Sequence, residues 1–239
     1  MRLQTFLAHA GISSRRSSAD IIESGAVAVN GKVVLEKWHP VEPGVDRVTL
    51  YGKAVSTVSK LYYVLNKPRG VTSTVKDSHA KSAVVDLLPR KLGRLYPVGR
   101  LDKDTTGIIL LTNDGELTHR LTHPRFAVAK VYVAKVKGRV LENELKKLSE
   151  GVRLEDGLTA PCRARILSFA EDTTVCEIEI REGKKRQVRR MFDSLGHRVL
   201  DLKRTFFAGI GLGDLEEGEF RKLSASEVEA LKEMTYRAA

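Results

Sequence analysis

Cysteine is nearly missing from this sequence. Only Cys162 and Cys176 occur in 239 residues. That excludes a disulfide-stapled scaffold and a multi-cysteine zinc site, and it fits free thiols in a reducing cytoplasm. No apolar run approaches the ~20 residues needed to span a bilayer. The opening stretch MRLQTFLAHAGISSRR has too short an apolar core for a signal peptide and no small-residue cleavage pattern. The histidines (His9, His39, His79, His119, His123 and His197) are scattered. They make neither a metal spacing nor a Ser/His or Cys/His nucleophile pattern. Internal repeats and low-complexity tracts are also absent. The expectation is a soluble cytoplasmic protein of one or two domains, long enough to bury a real core.

Charge of one sign is plentiful. The chain carries a formal net charge of +11. An excess of this size points to an anionic partner, most often nucleic acid; simple colloidal charge is the alternative. The small polar stretch AVSTVSK, 54–60, separates two different patterns and reads as a linker. The expected division is a small domain over 1–53, the linker 54–60, and a larger domain over 61–239.

The first 53 residues predict two short helices and a small sheet. Leu3, Phe6, Leu7 and Ala10 follow helical spacing up to Gly11. Ser13 or Ser14 can cap a second helix that ends at Gly25. Val27 and Val29 then alternate up to Asn30-Gly31, a strong hairpin signal because both turn positions need positive φ. A further strand is expected at Arg47–Leu50. One local rule is broken: Arg15 and Arg16 fall in the first turn of the second helix, where the dipole disfavours cations. Helix N–H groups and two guanidiniums together suit a phosphate; the bland alternative is a solvated pair.

The remainder alternates strands with helices. YYVLNKP, LYPVGRL, TGIILLTN, KVYVAKVKG, RARILSF, TTVCEIEI and HRVLDLKRTFF read as strands; LENELKKLSEG, KRQVRRMFDSLG and SASEVEALKEMT read as helices. The expected fold is α+β, with a mostly antiparallel or mixed sheet and flanking helices. Three segments can carry chemistry. In VGRLDKDTTGIILLTNDG, Asp102 and Asp104 sit in a loop before an apolar strand, where Asp-x-Asp serves acid–base work or merely caps a turn. No third ligand stands at a metal-like spacing. In IREGKKRQVRRMF, Val188, Met191, Phe192 and Leu195 define a buried helix face. Helical spacing turns Arg186 and Arg190 outward and leaves Arg189 on the flank, where a half-buried guanidinium needs a carboxylate. In AKVYVAKV, Tyr132 lies on the strand face opposite Val131 and Val133, as a cross-strand aromatic or a platform for a base.

Together these segments resemble the bacterial ribosomal-RNA pseudouridine synthases of the RsuA/RluB type, almost end to end. Residues 1–53 resemble the small RNA-binding domain first described in a ribosomal protein. LNKPRGV, VGRLDKDTTGIILLTNDG, EGKKRQVRRMF and the tail GIGLGDLEEGEFRKL are similar to the family's successive motifs. The resemblance implies that Asp102 is the catalytic aspartate, Tyr132 the active-site tyrosine and Arg189 the aspartate's partner. It implies isomerisation of a uridine in ribosomal RNA, large-subunit rRNA or an assembly intermediate being favoured over small-subunit rRNA. It needs no cofactor and no metal, and it implies a monomer. The target nucleotide must leave its stack, at a cost of a few kcal/mol; Arg100 resembles the residue that fills the vacated space. Lys184, Lys185, Arg186 and Arg190, with Arg15 and Arg16, would meet phosphates. The rival readings are a pure RNA-binding assembly factor and a helix-turn-helix DNA regulator. The large second domain weighs against the first, and the Asn-Gly hairpin against the second.

Overall fold

The computed structural model describes residues 1–74 and 82–237; His79 lies outside them. The chain forms two compact units. One comprises Met1–Leu61 with Lys91–Arg94 and Asn113–Gly115, and the other holds the rest.

In the first unit, α1 (Leu3–His9) and α2 (Arg15–Glu23) precede β1 (Val27–Val29), β2 (Lys32–Val33), β3 (Val48–Leu50) and β4 (Lys53–Val55). The sheet order is β2-β1-β3-β4. Leu3, Phe6, Leu7 and Ile22 are buried against Val27, Val29 and Val48. Ser14 is the N-cap of α2, its side chain accepting from the Ser17 N–H at 3.1 Å. Asn30 and Gly31 both take positive φ, 51° and 82°, as the hairpin requires. The expected linker 54–60 begins inside the sheet: Ala54 and Val55 pair with Thr49 and Val48. A second tight turn at Tyr51-Gly52, with φ of 47° and 76°, folds β4 back. Tyr-Gly carries no strong turn signal, so the sequence did not disclose it.

The second unit is α+β. Its strands are β5 (Tyr62–Lys67), β6 (Tyr96–Pro97), β7 (Thr106–Thr112), β8 (Lys130–Lys137), β9 (Arg153–Leu154), β10 (Gly157–Leu158), β11 (Arg163–Ala170), β12 (Thr173–Ile180), β13 (Val199–Phe207), β14 (Ile210–Gly211) and β15 (Phe220–Lys222). Its helices are α3 (Gly115–Thr122), α4 (Glu142–Glu150), α5 (Gln187–Asp193) and α6 (Ala225–Arg237). The main sheet runs β11-β12-β8-β13-β7-β5-β15, with β14 on β13 and β6 on β7; β9 and β10 form a separate hairpin. Its pairs are antiparallel except β13 with β7, which is parallel. The mixed, mostly antiparallel sheet matches the sequence reading. The strand expected over LYPVGRL shrinks to Tyr96–Pro97, because Pro97 donates no ladder bond and the chain turns at Gly99, φ 74°. Helix α3 was not foreseen; its apolar signal is only Leu117 and Leu121, both buried.

At the centre, β7 is buried along its whole length. At Gly107, φ is 103°, and an added Cβ would lie 2.2 Å from the Arg204 carbonyl oxygen and 2.7 Å from its nitrogen. Thus β13 reaches β7 because residue 107 has no side chain. The β13–β8 register slips between Arg204 and Phe206, leaving Thr205 as the extra residue of a bulge. Arg204 and Phe207 therefore share one face: Phe207 is 1% exposed, whereas Phe206 is 48% exposed.

Gly107→Ala is expected to destabilise the protein by about 1–3 kcal/mol or more, since backbone atoms must move. Gly183→Ala, where a Cβ meets nothing within 4 Å, is expected to change stability by less than about 0.5 kcal/mol. Urea denaturation of both variants checks the contrast.

Candidate active site

The loop between β6 and β7 carries Asp102, and its backbone is tied on both sides of that residue. The Ser73 hydroxyl donates to the Leu101 carbonyl and accepts from the Leu101 N–H, each at 3.0 Å. The Lys103 carbonyl accepts from the Gly70 N–H at 2.8 Å and from Lys67 Nζ at 3.4 Å. The Thr105 N–H donates to the Asp102 carbonyl at 3.1 Å. Lys67 is fully buried at the end of β5. Burial pushes its ammonium down to about 8, while the charges of Asp104, Glu217 and Asp102 act the other way. Lys67 and Ser73 were not singled out in the sequence. Lys67 does fall within LNKPRGV, the stretch similar to the family's first motif.

Asp102 opens onto a cleft of about 730 Å³ that also exposes Arg100, Lys130, Tyr132, Arg186 and Arg204. Tyr132 is 9% exposed and is paired across the sheet with Ile178 and Arg204. Asp102 and Tyr132, 30 residues apart, therefore share one concave site.

The arginines are arranged differently from the sequence reading. Arg189, expected to partner Asp102, instead meets Asp104. Its Nη2 lies 3.2 Å from Asp104 Oδ2 and donates to the Asp104 carbonyl at 3.3 Å, while Nη1 donates to the Val199 carbonyl at 3.2 Å. Asp102 pairs with Arg186, whose Nη1 lies 3.8 Å from its Oδ2. Arg186 was expected to face solvent on the helix. It precedes the helix, with φ 49°, and this left-handed residue swings the guanidinium onto Asp104 at 3.1 and 3.3 Å. A helical wheel extended through residue 186 fails for that reason. Burial by itself would raise the Asp104 carboxyl. The hydrogen bond from Arg186 and the charges of Arg189 and Arg186 outweigh it and hold Asp104 below the ordinary carboxylate range. Asp104 is thus more than the turn residue it resembled.

Two expected phosphate ligands are engaged by the protein itself. Lys184 Nζ donates to the carbonyls of Asp156, Gly157 and Leu158 at 3.3, 3.2 and 2.8 Å. Arg190 holds Asp156 through two bonds of 2.9 Å. Both anchor the β9–β10 hairpin. Lys185, Arg100, Arg15 and Arg16 are exposed. Among the described residues, no three His, Cys, Asp or Glu side chains converge as a metal site, and no helix is long and apolar enough to cross a membrane.

Asp104→Asn is expected to destabilise the protein by about 1–3 kcal/mol near neutral pH, because it leaves Arg189, 7% exposed, without its anion. The Asp104 pKa is lowered from 3.8 by folding, so its contribution is present above that value and lost as pH falls through the folded one. The stability gap between wild type and variant should therefore close in acid. Urea titrations from about pH 6 to about pH 3 measure it; a gap that does not change with pH would remove Asp104 from this role.

Comparisons with known proteins identify the family. Residues 61–194 match the model of the RNA pseudouridylate synthase family, and residues 1–46 match the S4 domain. The chain is 45% identical to ribosomal large subunit pseudouridine synthase B of Bacillus subtilis, over 97% of this chain and 95% of that one. It is 40% identical to an uncharacterized RNA pseudouridine synthase of Aquifex aeolicus, over 97% and 93% of the two chains. The crystal structure of a pseudouridylate synthase superposes with a TM-score of 0.69 at 33% identity, covering 97% of this chain and 99% of that one. With the family model spanning more than half of the chain, Asp102 and Tyr132 included, and relatives this similar along nearly its whole length, the protein belongs to the RNA pseudouridylate synthase family and carries an S4 domain at its N-terminus.

Proposed function

We propose that the protein isomerises a specific uridine of ribosomal RNA, large-subunit rRNA in preference to small-subunit rRNA, with Asp102 performing the chemistry. The observation that carries the reading is a carboxylate on a loop pinned on either side, opening beside Tyr132 into a cleft. The Bacillus subtilis relative, named for the large subunit, supports the choice of rRNA. The substrate is free rRNA or an assembly intermediate, and the protein acts as a cytoplasmic monomer.

A uridine within a helix buries its glycosidic bond, so the nucleotide flips into the cleft and Arg100 takes the vacated space. Tyr132 stacks on the base and holds it over Asp102. The N1–C1′ bond breaks, the base turns, and C5 joins C1′. Arg186, at 3.8 Å, keeps a positive charge beside the Asp102 carboxylate, which must be ionised to act as nucleophile or base. Arg189 is a positioning residue: through Asp104 it fixes the loop. The reaction transfers no electrons and no group, so the proposal includes no cofactor. Lys185 meets phosphate at the rim. In the first unit, Arg15 and Arg16 stand exposed at the start of α2, behind the Ser14 cap, and meet the RNA backbone. Residues 1–53 form a separate binding domain in this reading, and 61–239 the catalytic one.

Unmodified rRNA transcripts carrying tritium at uridine C5 test the proposal, because only isomerisation releases the label. Wild type should release it, and Asp102→Asn should fall to background while binding RNA within a few-fold. Normal release by Asp102→Asn at saturating RNA would overturn the assignment. Binding should also weaken steeply with salt, through counterion release. Changing Arg15 and Arg16 to Ala should lower the salt slope by about 1 per lost phosphate contact; an unaltered slope would separate this helix from the RNA.

A further inference from the structure

Two cations on the floor of the cleft make no ion pair among the described residues. Arg204 is 2% exposed. Its Nε donates to the Ile108 carbonyl at 2.9 Å, its guanidinium lies 4.6 Å from the Phe207 ring centroid, and its buried Nη2 has no hydrogen-bond partner. Lys130, two residues before Tyr132 on the same strand face, donates to the Val128 carbonyl at 2.9 Å and lies 6.0 Å from the same ring. Among the described residues, neither makes an ion pair, although the arginines 186, 189 and 190 around the cleft all do. Burial and the charge of Arg204 push the Lys130 ammonium down to about 8, against the pull of Glu182. Removing a cation from water without a counter-charge costs several kcal/mol. A fold that holds two such cations together is arranged for an anion that arrives from outside.

The surroundings select its chemistry. Arg204 stands among Ile180, Leu202 and Phe207, all buried, with Tyr132 directly across the strand pair. These apolar and aromatic neighbours suit a nucleobase. A phosphodiester is tetrahedral and heavily hydrated, and exposed cations already wait for it at the rim, in Arg100 and Lys185. Of a flipped nucleotide, the base reaches deepest.

We propose that Arg204 and Lys130 receive the two carbonyl oxygens of the target uracil and stabilise the uracil anion that exists between bond cleavage and reattachment. The inference rests on the isomerase reading above. When N1–C1′ breaks, its electron pair stays on the base, and the charge spreads over N1, O2 and O4; Asp102 answers the positive charge left at the sugar. After rotation, C5 supplies a pair to C1′, the C5 proton leaves to solvent, and N1 takes one up. Atoms and charge balance. Uracil is neutral when it binds and charged only after cleavage begins, so the two cations favour the transition state over the ground state.

The test is single-turnover conversion of unmodified large-subunit rRNA transcripts with uridine or 5-fluorouridine throughout, read by chromatography and mass spectrometry of the nucleosides as loss of the parent nucleoside. At a fluorinated C5 no proton can leave, so that product is completed by water adding across N1–C6 instead. Fluorine stabilises the departing anion by itself. Arg204→Gln and Lys130→Met should each slow conversion of the uridine transcript by about 100-fold, the size of effect seen when a donor to developing charge is removed. Kd should stay within a few-fold. On the fluorinated transcript the deficit should shrink by about tenfold. Equal deficits on both transcripts would overturn the proposal, as would undiminished rates. A salt slope of binding lowered by about 1 in either variant would assign the pair to a phosphate instead. If Arg204→Gln fails to fold, Lys130→Met decides the matter, since its side chain is not fully buried. Failure of wild type to convert the uridine transcript would strike the isomerase reading itself. Failure confined to these variants' expected behaviour strikes only the floor.

Discussion

The catalytic unit depends on the approach of two backbones. At Gly107, β7 and β13 come so close that a methyl group would sit inside the Arg204 carbonyl. This parallel contact is the seam between the antiparallel ladder β11-β12-β8-β13 and the strands β7, β5 and β15. Asp102 belongs to the loop feeding β7, whereas Tyr132 and Arg204 belong to the ladder. Only where the seam closes do they share a cleft. The bulge at Thr205 then turns Phe207 inward beside Arg204 and releases Phe206 to the surface.

Asp102 and Asp104 differ in what surrounds them rather than in chemistry. Asp104 takes two arginines and becomes a clamp between the loop and the start of α5. Asp102 keeps, among the described residues, a single long ion pair and a partly exposed carboxylate facing the cleft. Its precision comes from the main chain: Ser73 grips Leu101, and Lys67 and Gly70 grip Lys103. In the role we propose for Asp102, a carboxylate held directly by short hydrogen bonds would be a poorer base and nucleophile. Fixing the neighbouring peptides orients it without that loss.

Much of this was legible in the sequence where the physics is local. The Asn30-Gly31 turn, the Ser14 cap and the buried face of α5 follow from positive φ, unsatisfied N–H groups and helical spacing. The helix read over SASEVEALKEMT starts with a reciprocal cap, the Ser224 N–H on Glu227 at 2.8 Å and the Glu227 N–H on Ser224 at 3.2 Å. Partners of long side chains were not legible. The charged ends of Arg186, Arg189, Arg190 and Lys184 are separated from their backbones by several freely rotating bonds, and their choice among Asp102, Asp104, Asp156 and bare carbonyls is settled by tertiary packing. Arg186 adds a backbone reason, since one left-handed residue cancels any wheel drawn through it. Lys67 and Ser73 act through main-chain carbonyls, which leave no pattern in a sequence.

The basic charge of the chain thereby divides by depth. Near the rim, Arg186 and Arg190 are matched by carboxylates and hold loops in place. On the floor, the described partners of Arg204 and Lys130 are carbonyls and the face of Phe207, which satisfy geometry but do not neutralise charge, with Glu182 pulling on Lys130 from outside ion-pair distance. Pairing them with a protein carboxylate would stabilise the fold and fill the slot with the wrong anion. An unpaired cation inside a protein is a local violation of what makes a fold stable, and such violations gather where a site must act. The fold tolerates this one because Gly107 lets β7 lie against the Arg204 backbone, with the Ile108 carbonyl in reach of Nε. The glycine that closes the sheet is thus also the residue that lets a charge stand uncompensated at the bottom of the cleft.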